Sequence, residues 1–137
     1  MKIKIYTDGA SRGNPGEAGA GVIVKDFKDN LILSKYKYIG KATNNQAEYA
    51  ALEIAIKEIL KTFKERENLH MEFYLDSELV VKQMNGIYKV KNRSLIFYKF
   101  RIEKLLSSFK RYSFYHIARE LNKEADKLAN IAIDLKE

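Results

Sequence analysis

Four acidic residues, Asp8, Glu48, Asp76 and Asp126, are placed by the local sequence pattern beside the predicted core of a chain that is otherwise strongly basic. Carboxylates gathered in one place repel one another unless divalent cations neutralise them. The 137 residues carry 25 Lys and Arg against 18 Asp and Glu, a formal charge of +7. A basic surface around an acidic cluster indicates a polyanionic substrate, whose phosphates bound cations could help to attack.

Asp8 and Asp76 occupy equivalent places in two predicted strands. The segments Tyr6–Gly9 and Tyr74–Ser77 each end with an aspartate on the tyrosine side, followed by a small residue. We expect these strands to be parallel neighbours joined through a helix, so that both carboxylates emerge at the edge of the sheet where ligands of α/β proteins bind. The alternative for each aspartate by itself is a turn or a helix cap.

Glu48 and Asp126 are predicted near the starts of two helices. Glu48 lies in the first turn, on the same stripe as Leu52, Ala55 and Ile59, and a core-facing carboxylate needs a partner. The alternative is an acid that only complements the helix N-terminus. Asp126 lies similarly early in the last helix, where an exposed acid is the open alternative.

The elements that must position these residues follow from hydrophobic periodicity. Strands are predicted at 2–8, 22–27, 31–38, 71–76 and 113–117. Helices are predicted at 44–63, from 77 to about 84, at 95–108 and at 123–135. The glycine-rich segment 9–21 is predicted to be turn and loop. The result is one α/β domain over residues 1–137, with a five-stranded mixed sheet, three antiparallel strands first and parallel strands after them, flanked by helices.

Composition excludes several classes of site. The chain has no cysteine, which rules out disulfides, zinc thiolate sites and thiol nucleophiles and is compatible with a reducing cytosol. No signal peptide and no run approaching about 18 apolar residues is present. We therefore expect a soluble cytoplasmic protein, monomeric, with no membrane association and no implied protein partner, and the start at Met1 favours a free-standing protein.

Five segments, in order and at matching spacing, resemble those of type 1 ribonuclease H, the enzymes that cut the RNA strand of an RNA·DNA hybrid. These segments are Tyr6–Gly16, Thr43–Glu48, Asp76–Ser77, Tyr88–Asn92 and Asn122–Ala129. The resemblance covers nearly the whole chain. It implies a ribonuclease H-like fold and hydrolysis of the RNA strand of a hybrid, leaving 5′-phosphate and 3′-hydroxyl ends.

The resemblance also implies that Asp8, Glu48, Asp76 and Asp126 bind two Mg²⁺ ions, with Mn²⁺ able to substitute. Asp8 would bridge both ions, and Asp126 would complete the site that activates the attacking water. Glu48 and Asp76 would hold the ion at the leaving 3′ oxygen. Two ions about 4 Å apart can stabilise both oxygens, so no protein nucleophile is required.

Further family positions imply contacts with the two substrate strands. On the RNA side these positions are Asn14, Asn45 and the backbone of the glycine-rich segment, and amide groups can donate to and accept from a 2′-hydroxyl. Gly9, Ser11 and Asn44 are further candidate substrate contacts. On the DNA side, a phosphate pocket is implied at Lys41, Thr43 and Asn92. From the sequence alone, Asn44 is also a candidate helix N-cap, and Asn14 a candidate turn residue.

The chain departs from many family members in the regions that handle substrate. The loop before the last helix has Arg119 and Glu120 in place of a catalytic histidine, while His116 falls inside strand 5 and His70 precedes strand 4. We hypothesise that Arg119 binds the scissile or departing phosphate, because a guanidinium cannot act as a general base near neutral pH.

A second departure is the absence of the basic protrusion, an extra helix that many members carry before the Tyr88 segment. Hybrid affinity would then depend on other cations, with Lys82, Lys89, Lys91 and Arg93 as candidates.

Two alternatives to a hybrid endonuclease stay open. One keeps the fold and metals but acts on double-stranded RNA or RNA–DNA junctions. The other is a non-catalytic nucleic-acid-binding module, against which the four carboxylates argue, since a phosphate binder would gain affinity by losing them.

Overall fold

The structure is a computed structural model that describes residues 1–137. Its strands are β1 (Lys2–Ser11), β2 (Gly16–Asp26), β3 (Leu31–Ala42), β4 (His70–Leu75) and β5 (Arg111–His116). Its helices are α1 (Asn44–Thr62), α2 (Glu78–Met84), α3 (Arg93–Leu106) and α4 (Lys123–Leu135), with a single 3₁₀ turn at Arg119–Leu121. None of the helices combines the length and the apolar character needed to span a lipid bilayer.

The five strands form one mixed sheet in the order β3-β2-β1-β4-β5. The first three strands pair antiparallel, whereas β4 pairs parallel with both β1 and β5. Tyr6 lies opposite Tyr74, so the two strands that precede the first and third carboxylates are in register. The predicted fold class and the predicted parallel pairing of strands 1 and 4 are confirmed.

Helices cover both faces of the sheet. The main core lies under α1 and α3, where alternate strand residues such as Ile3, Ile5 and Phe73 are fully buried together with Leu52 and Ile102. On the opposite face, α4 packs over β1, β2 and β3. The parallel pairing of β1 with β4 ends between these two helical layers, and the acidic residues lie at that point.

The prediction that residues 9–21 form a turn and loop is wrong. β1 continues to Ser11 and β2 begins at Gly16, which leaves only residues 12–15 as the turn. The glycines mark close helix packing: a Cβ on Gly9 would lie 2.1 Å from the backbone of Ala47 in α1, and one on Gly21 would lie 2.0 Å from the carbonyl oxygen of Ala125 in α4. Glycine in these strands therefore lets the two helices that carry Glu48 and Asp126 approach the sheet.

The other differences are smaller, and the largest of them is in β3, which continues four residues past its predicted end to Ala42. Helix α3 and strand β5 each begin two residues before their predicted starts, and His70 is the first residue of β4 instead of preceding it. Thr43 is the N-cap of α1, with a reciprocal hydrogen-bonded pair to Gln46, so the alternative that Asn44 is the cap is wrong. Eight residues, 85–92, connect α2 to α3 without a helix.

Candidate active site

Three carboxylates meet where the pairing of β1 with β4 ends, at Thr7 and Leu75. One carboxylate oxygen from each of Asp8, Glu48 and Asp76 lies within 4.8 Å of the others. Asp8 and Asp76 lie side by side because Thr7 pairs with Leu75 in the parallel strands. Each aspartate is the residue that directly follows one member of this pair. Asp8 is only 6% exposed, whereas Asp76 is half-buried.

Glu48 enters the cluster from α1, where it is the fifth residue and so lies just past the first turn in which it was predicted. Its side chain is 7% exposed. The backbone N–H of Gly9 donates to Glu48 Oε1 at 2.5 Å, and Glu48 Oε2 is buried without any hydrogen-bond partner. A buried carboxylate oxygen without a partner is costly, so this atom is available to a cation.

Asp126 and Arg119 complete the surroundings of the cluster. Asp126 lies in the first turn of α4 and is exposed, which corrects the prediction that all four acids lie beside the core. It is still close enough to Asp8 to raise the pKa of that carboxyl group. Arg119 lies in the 3₁₀ turn, and its positive charge acts to lower the pKa of Glu48.

Burial and mutual repulsion hold protons on the cluster. Burial, followed by the charges of Glu48 and Asp76, raises the pKa of Asp8 to about 10. Burial also raises the pKa of Glu48 to about 8, against the opposing effect of the Gly9 N–H. Without a counter-cation, the site cannot carry its full negative charge near neutral pH. Bound divalent cations would reverse this preference, because they favour the ionised carboxylates.

The cluster forms the floor of an open cleft of about 440 Å³. Its walls come from the end of β1, the start of α1, the residues after β4 and the segment around α4. The lining residues are Asp8, Gly9, Ala10, Ser11, Asn44, Asn45, Glu48, Asp76, Ser77, Arg119 and Asp126. The cleft thus brings together the predicted acids, Arg119 and four of the eight predicted substrate-binding residues.

The remaining predicted contact residues lie just outside the cleft. Asn14 Oδ1 accepts a hydrogen bond from the backbone N–H of Asn44 at 3.0 Å, which ties the turn after β1 to α1. Thr43 and Asn92 are linked through two side chains: Gln46, which pairs with Thr43, donates to Ser94 Oγ at 3.1 Å, and that hydroxyl donates to Asn92 Oδ1 at 2.7 Å.

Lys41 lies near the end of β3, opposite Glu17, and its exposed side chain joins neither Thr43 nor Asn92 by a hydrogen bond.

The two histidines also lie outside the cleft. His116 is exposed at the end of β5, with Nδ1 3.9 Å from Oε2 of Glu78. Glu78 in turn pairs with Lys82 at 2.9 Å, so its carboxylate is engaged within this surface cluster.

Asn122 is the residue that sequence reasoning did not assign to the site. Its side chain is buried, and Nδ2 donates to the carbonyl oxygen of Thr7 at 2.8 Å and to Asp76 Oδ2 at 3.4 Å. Its own backbone carbonyl oxygen accepts from the backbone N–H of Asp126 at 3.1 Å. It therefore connects the positions of three acids. The sequence feature that could have identified Asn122 is its position. It is a polar residue directly before the last helix, within the family-like segment Asn122–Ala129.

We expect Asn122→Ala to weaken Mg²⁺ binding roughly 10- to 100-fold, because Asp76 and the carbonyl group of Thr7 lose their shared donor. The measurement is the rise in melting temperature with added MgCl₂. Asn85→Ala is the matched control, since Asn85 Nδ2 also donates to a strand carbonyl, that of Phe114 at 3.2 Å, but away from the cleft. Equal Mg²⁺ responses in the two variants would show that Asn122 has no positioning role.

The chain is similar to known proteins over nearly its whole length. The profile of the Reverse transcriptase-like family matches residues 6–132. Bifunctional protein Rv2228c of Mycobacterium tuberculosis is 40% identical over 135 residues, 98% of this chain and 36% of that protein. Ribonuclease HI of Halobacterium salinarum is 39% identical over 133 residues, 97% of this chain and 65% of that protein. The chain thus spans roughly one third to two thirds of the length of these two relatives.

The similarity to solved structures also extends over nearly the whole chain. The crystal structure of LC11-RNase H1, a protein isolated from compost, in complex with an RNA/DNA hybrid has a TM-score of 0.94 and 42% identity. The match covers 98% of each chain. The similarity thus includes every element that carries a residue of the cleft.

Proposed function

Because the chain belongs to the type 1 ribonuclease H family, we propose that it is an endonuclease that hydrolyses the RNA strand of RNA·DNA hybrids, leaving 5′-phosphate and 3′-hydroxyl ends. The observation that carries this proposal is the meeting of Asp8, Glu48 and Asp76 on the floor of the cleft. The substrate class is supported by LC11-RNase H1, whose structure contains such a hybrid.

The residues present fit divalent cations. We propose that Asp8, Glu48, Asp76 and Asp126 hold two Mg²⁺ ions, with Mn²⁺ able to substitute, because carboxylate oxygens suit these hard cations. Glu48 Oε2, buried without a partner, supports the fit. When bound, the two ions supply an activated water and stabilise the leaving oxygen. The chain's own contribution is to hold the carboxylates in place through the Gly9 N–H and the Asn122 amide.

In this proposal, the RNA and DNA strands are distinguished by residues on the two sides of the N-terminus of α1. Gly9, Ser11, Asn44 and Asn45 line the cleft, where their polar groups face a bound RNA strand and can contact its 2′-hydroxyls. Asn14 supports this wall through its bond to Asn44. The linked Thr43 and Asn92, with the nearby Lys41, provide the proposed phosphate site for the DNA strand.

We expect Arg119→Ala to lower turnover roughly 10- to 100-fold while binding of the hybrid changes little. The reason is that a guanidinium in the cleft stabilises the negative charge of the scissile phosphate during cleavage or of the departing phosphate afterwards. The measurement is single-turnover and steady-state cleavage of one hybrid. Arg111→Ala is the control, since Arg111 is exposed at the start of β5, outside the cleft. Unchanged turnover and product release in Arg119→Ala would remove this residue from the mechanism.

The decisive test is cleavage of strand-labelled substrates under Mg²⁺ titration. Matched hybrid, double-stranded RNA, an RNA–DNA junction and DNA duplex are compared, with Asp126→Asn as the inactive reference. We expect Mg²⁺-dependent cuts in the RNA strand of the hybrid. Preferred cleavage of double-stranded RNA or of the junction would change the substrate but keep the site, and no cleavage of any substrate would favour a nucleic-acid-binding module.

We also propose that residues 1–137 work as a single ribonuclease H domain, as a monomer in the cytoplasm. Its hybrid affinity would depend on Lys82, Lys89, Lys91 and Arg93, since the connection at residues 85–92 has no helix. A shallow slope of log affinity against log salt would argue against several phosphate contacts.

A further inference from the structure

Helix α3 has apolar side chains on both of its sides. Leu95, Ile102 and Leu106 are buried in the core. On the outer side, large apolar side chains of α3 and of the preceding connection are between 43% and 66% exposed. We call them the α3 outer face: Ile87, Tyr88, Ile96, Phe97 and Phe100. Such a cluster is unusual on the surface of a monomer, because most exposed apolar residues occur singly.

Two grooves run along this face, one on each side of Phe100. The first, of about 560 Å³, lies between the connection at 86–90 and α3. The second, of about 670 Å³, lies between α3 and the later turns of α1, and Leu60 and Leu105 contribute to it. Ile96, Phe100 and Lys104 are spaced four residues apart and form a ridge between the grooves. A ridge with a groove on each side is the surface on which another helix packs.

The rims of the two grooves are strongly basic. Six cations line them: Lys57, Arg66, Lys89, Lys99, Arg101 and Lys104. Only two carboxylates accompany these cations, and one of them, Glu53, is already held by Arg101 through bonds of 2.8 and 3.2 Å. The other is Glu103. An occupant must therefore combine apolar side chains for the grooves with acidic groups for the rims.

We propose that the α3 outer face binds an acidic amphipathic helix of a partner protein, which packs along α3 as an additional member of the helical layer. A second copy of this chain is disfavoured, because a symmetric contact would bring the six cations against their own copies in a chain of net charge +7. Nucleic acid is less favoured because the apolar lining of the two grooves is mostly aliphatic, with Tyr88 and Phe100 as the only rings on which a base could stack. The aliphatic lining residues are Leu60, Ile87, Val90, Ile96 and Leu105.

The proposal does not depend on the nuclease activity, although the peptide site shares Lys89 with the proposed hybrid contacts. Its test uses the full chain with a synthetic probe and variants at residues outside those contacts. The probe is a helical peptide of about 18 residues with leucine on one face and glutamate on its flanks. We expect micromolar binding by fluorescence anisotropy, weakened at least about tenfold by Phe100→Glu and by Lys99→Glu. Phe27→Glu is the matched control, since Phe27 is 60% exposed in the turn after β2 and should leave binding unchanged.

Three outcomes would overturn the proposal. The first is failure of the peptide to bind, or equal binding of a peptide with the same composition in scrambled order. The second is sedimentation of the free protein as a dimer that Phe100→Glu dissociates, which would assign the face to a second copy. The third is displacement of the peptide by a single-stranded DNA oligonucleotide whose own binding is lost in Phe100→Glu. Melting temperatures of the variants confirm that each one is folded.

Discussion

Asp8→Asn is expected to reduce hybrid cleavage by roughly 10³-fold or more while making the metal-free protein more stable. Asp8 lies at the centre of the cluster, where it is buried and faces the charges of Glu48 and Asp76. Removal of its charge removes a metal ligand but also relieves burial and repulsion. We expect the free energy of unfolding in EDTA at pH 8 to rise by on the order of 2 kcal/mol.

The stability gain should depend on pH in a defined direction. The raised pKa of Asp8, about 10, means that the folded chain keeps a proton that the unfolded chain releases above about pH 4. Metal-free wild-type protein therefore loses stability as pH rises from about 4 towards 10, and the neutral amide of the variant does not. The advantage of Asp8→Asn should vanish near pH 4 and grow up to pH 9.

Two comparisons make this prediction specific. Asp29→Asn removes an aspartate that is exposed in the turn after β2 and paired with Lys4, so it should change neither cleavage nor the pH dependence by a comparable amount. Saturating MgCl₂ should stabilise the wild type more than Asp8→Asn. Full cleavage by Asp8→Asn, with no change in stability in EDTA, would contradict the assignment of the carboxylate cluster as the metal site.

Gly21→Ala is expected to destabilise the fold by about 3 kcal/mol or more and to abolish cleavage. The new Cβ would lie 2.0 Å from the carbonyl oxygen of Ala125 and 2.8 Å from the backbone nitrogen of Ala129. Because both contacts are with helix backbone, no side-chain rotation relieves them, and α4 must move away from the sheet. Asp126 moves with it, so the loss of activity should exceed the loss of folded protein.

Gly40→Ala is the matched control for this substitution. A methyl group added at Gly40 would meet no atom within 4 Å, but the φ of +76° at this position is unfavourable for alanine. The substitution should cost only about 1 to 2 kcal/mol. Urea denaturation measures both variants, and Mg²⁺ binding to the folded fraction of Gly21→Ala reports the position of Asp126. Equal destabilisation in the two variants would contradict the conclusion that the packing of α4 requires glycine at position 21.

Most of the fold could be predicted because its elements have clear periodicity. The alternation of Ile3 and Ile5 with Lys4 and Tyr6 defined β1, and the matching pattern before Asp76 defined its parallel neighbour. Segment 9–21 could not be predicted in the same way. Glycine is a local signal for turns, but at Gly9 and Gly21 it meets a requirement of packing between elements distant in the sequence, which local propensity does not reflect.

The sequence by itself determined which chemistry is available: carboxylates on two paired strand segments and near two helix starts, no thiol, an excess of cations, and Arg119 in place of a loop histidine. Only the tertiary structure decided how these groups meet. It buried Asp8 and Glu48, left Asp126 exposed at the lip, connected the acids through Asn122, and placed the α3 outer face towards solvent. The physical reason is that residue type fixes charge and ligand preference, whereas burial, pKa and distance depend on the packing of elements remote in the chain.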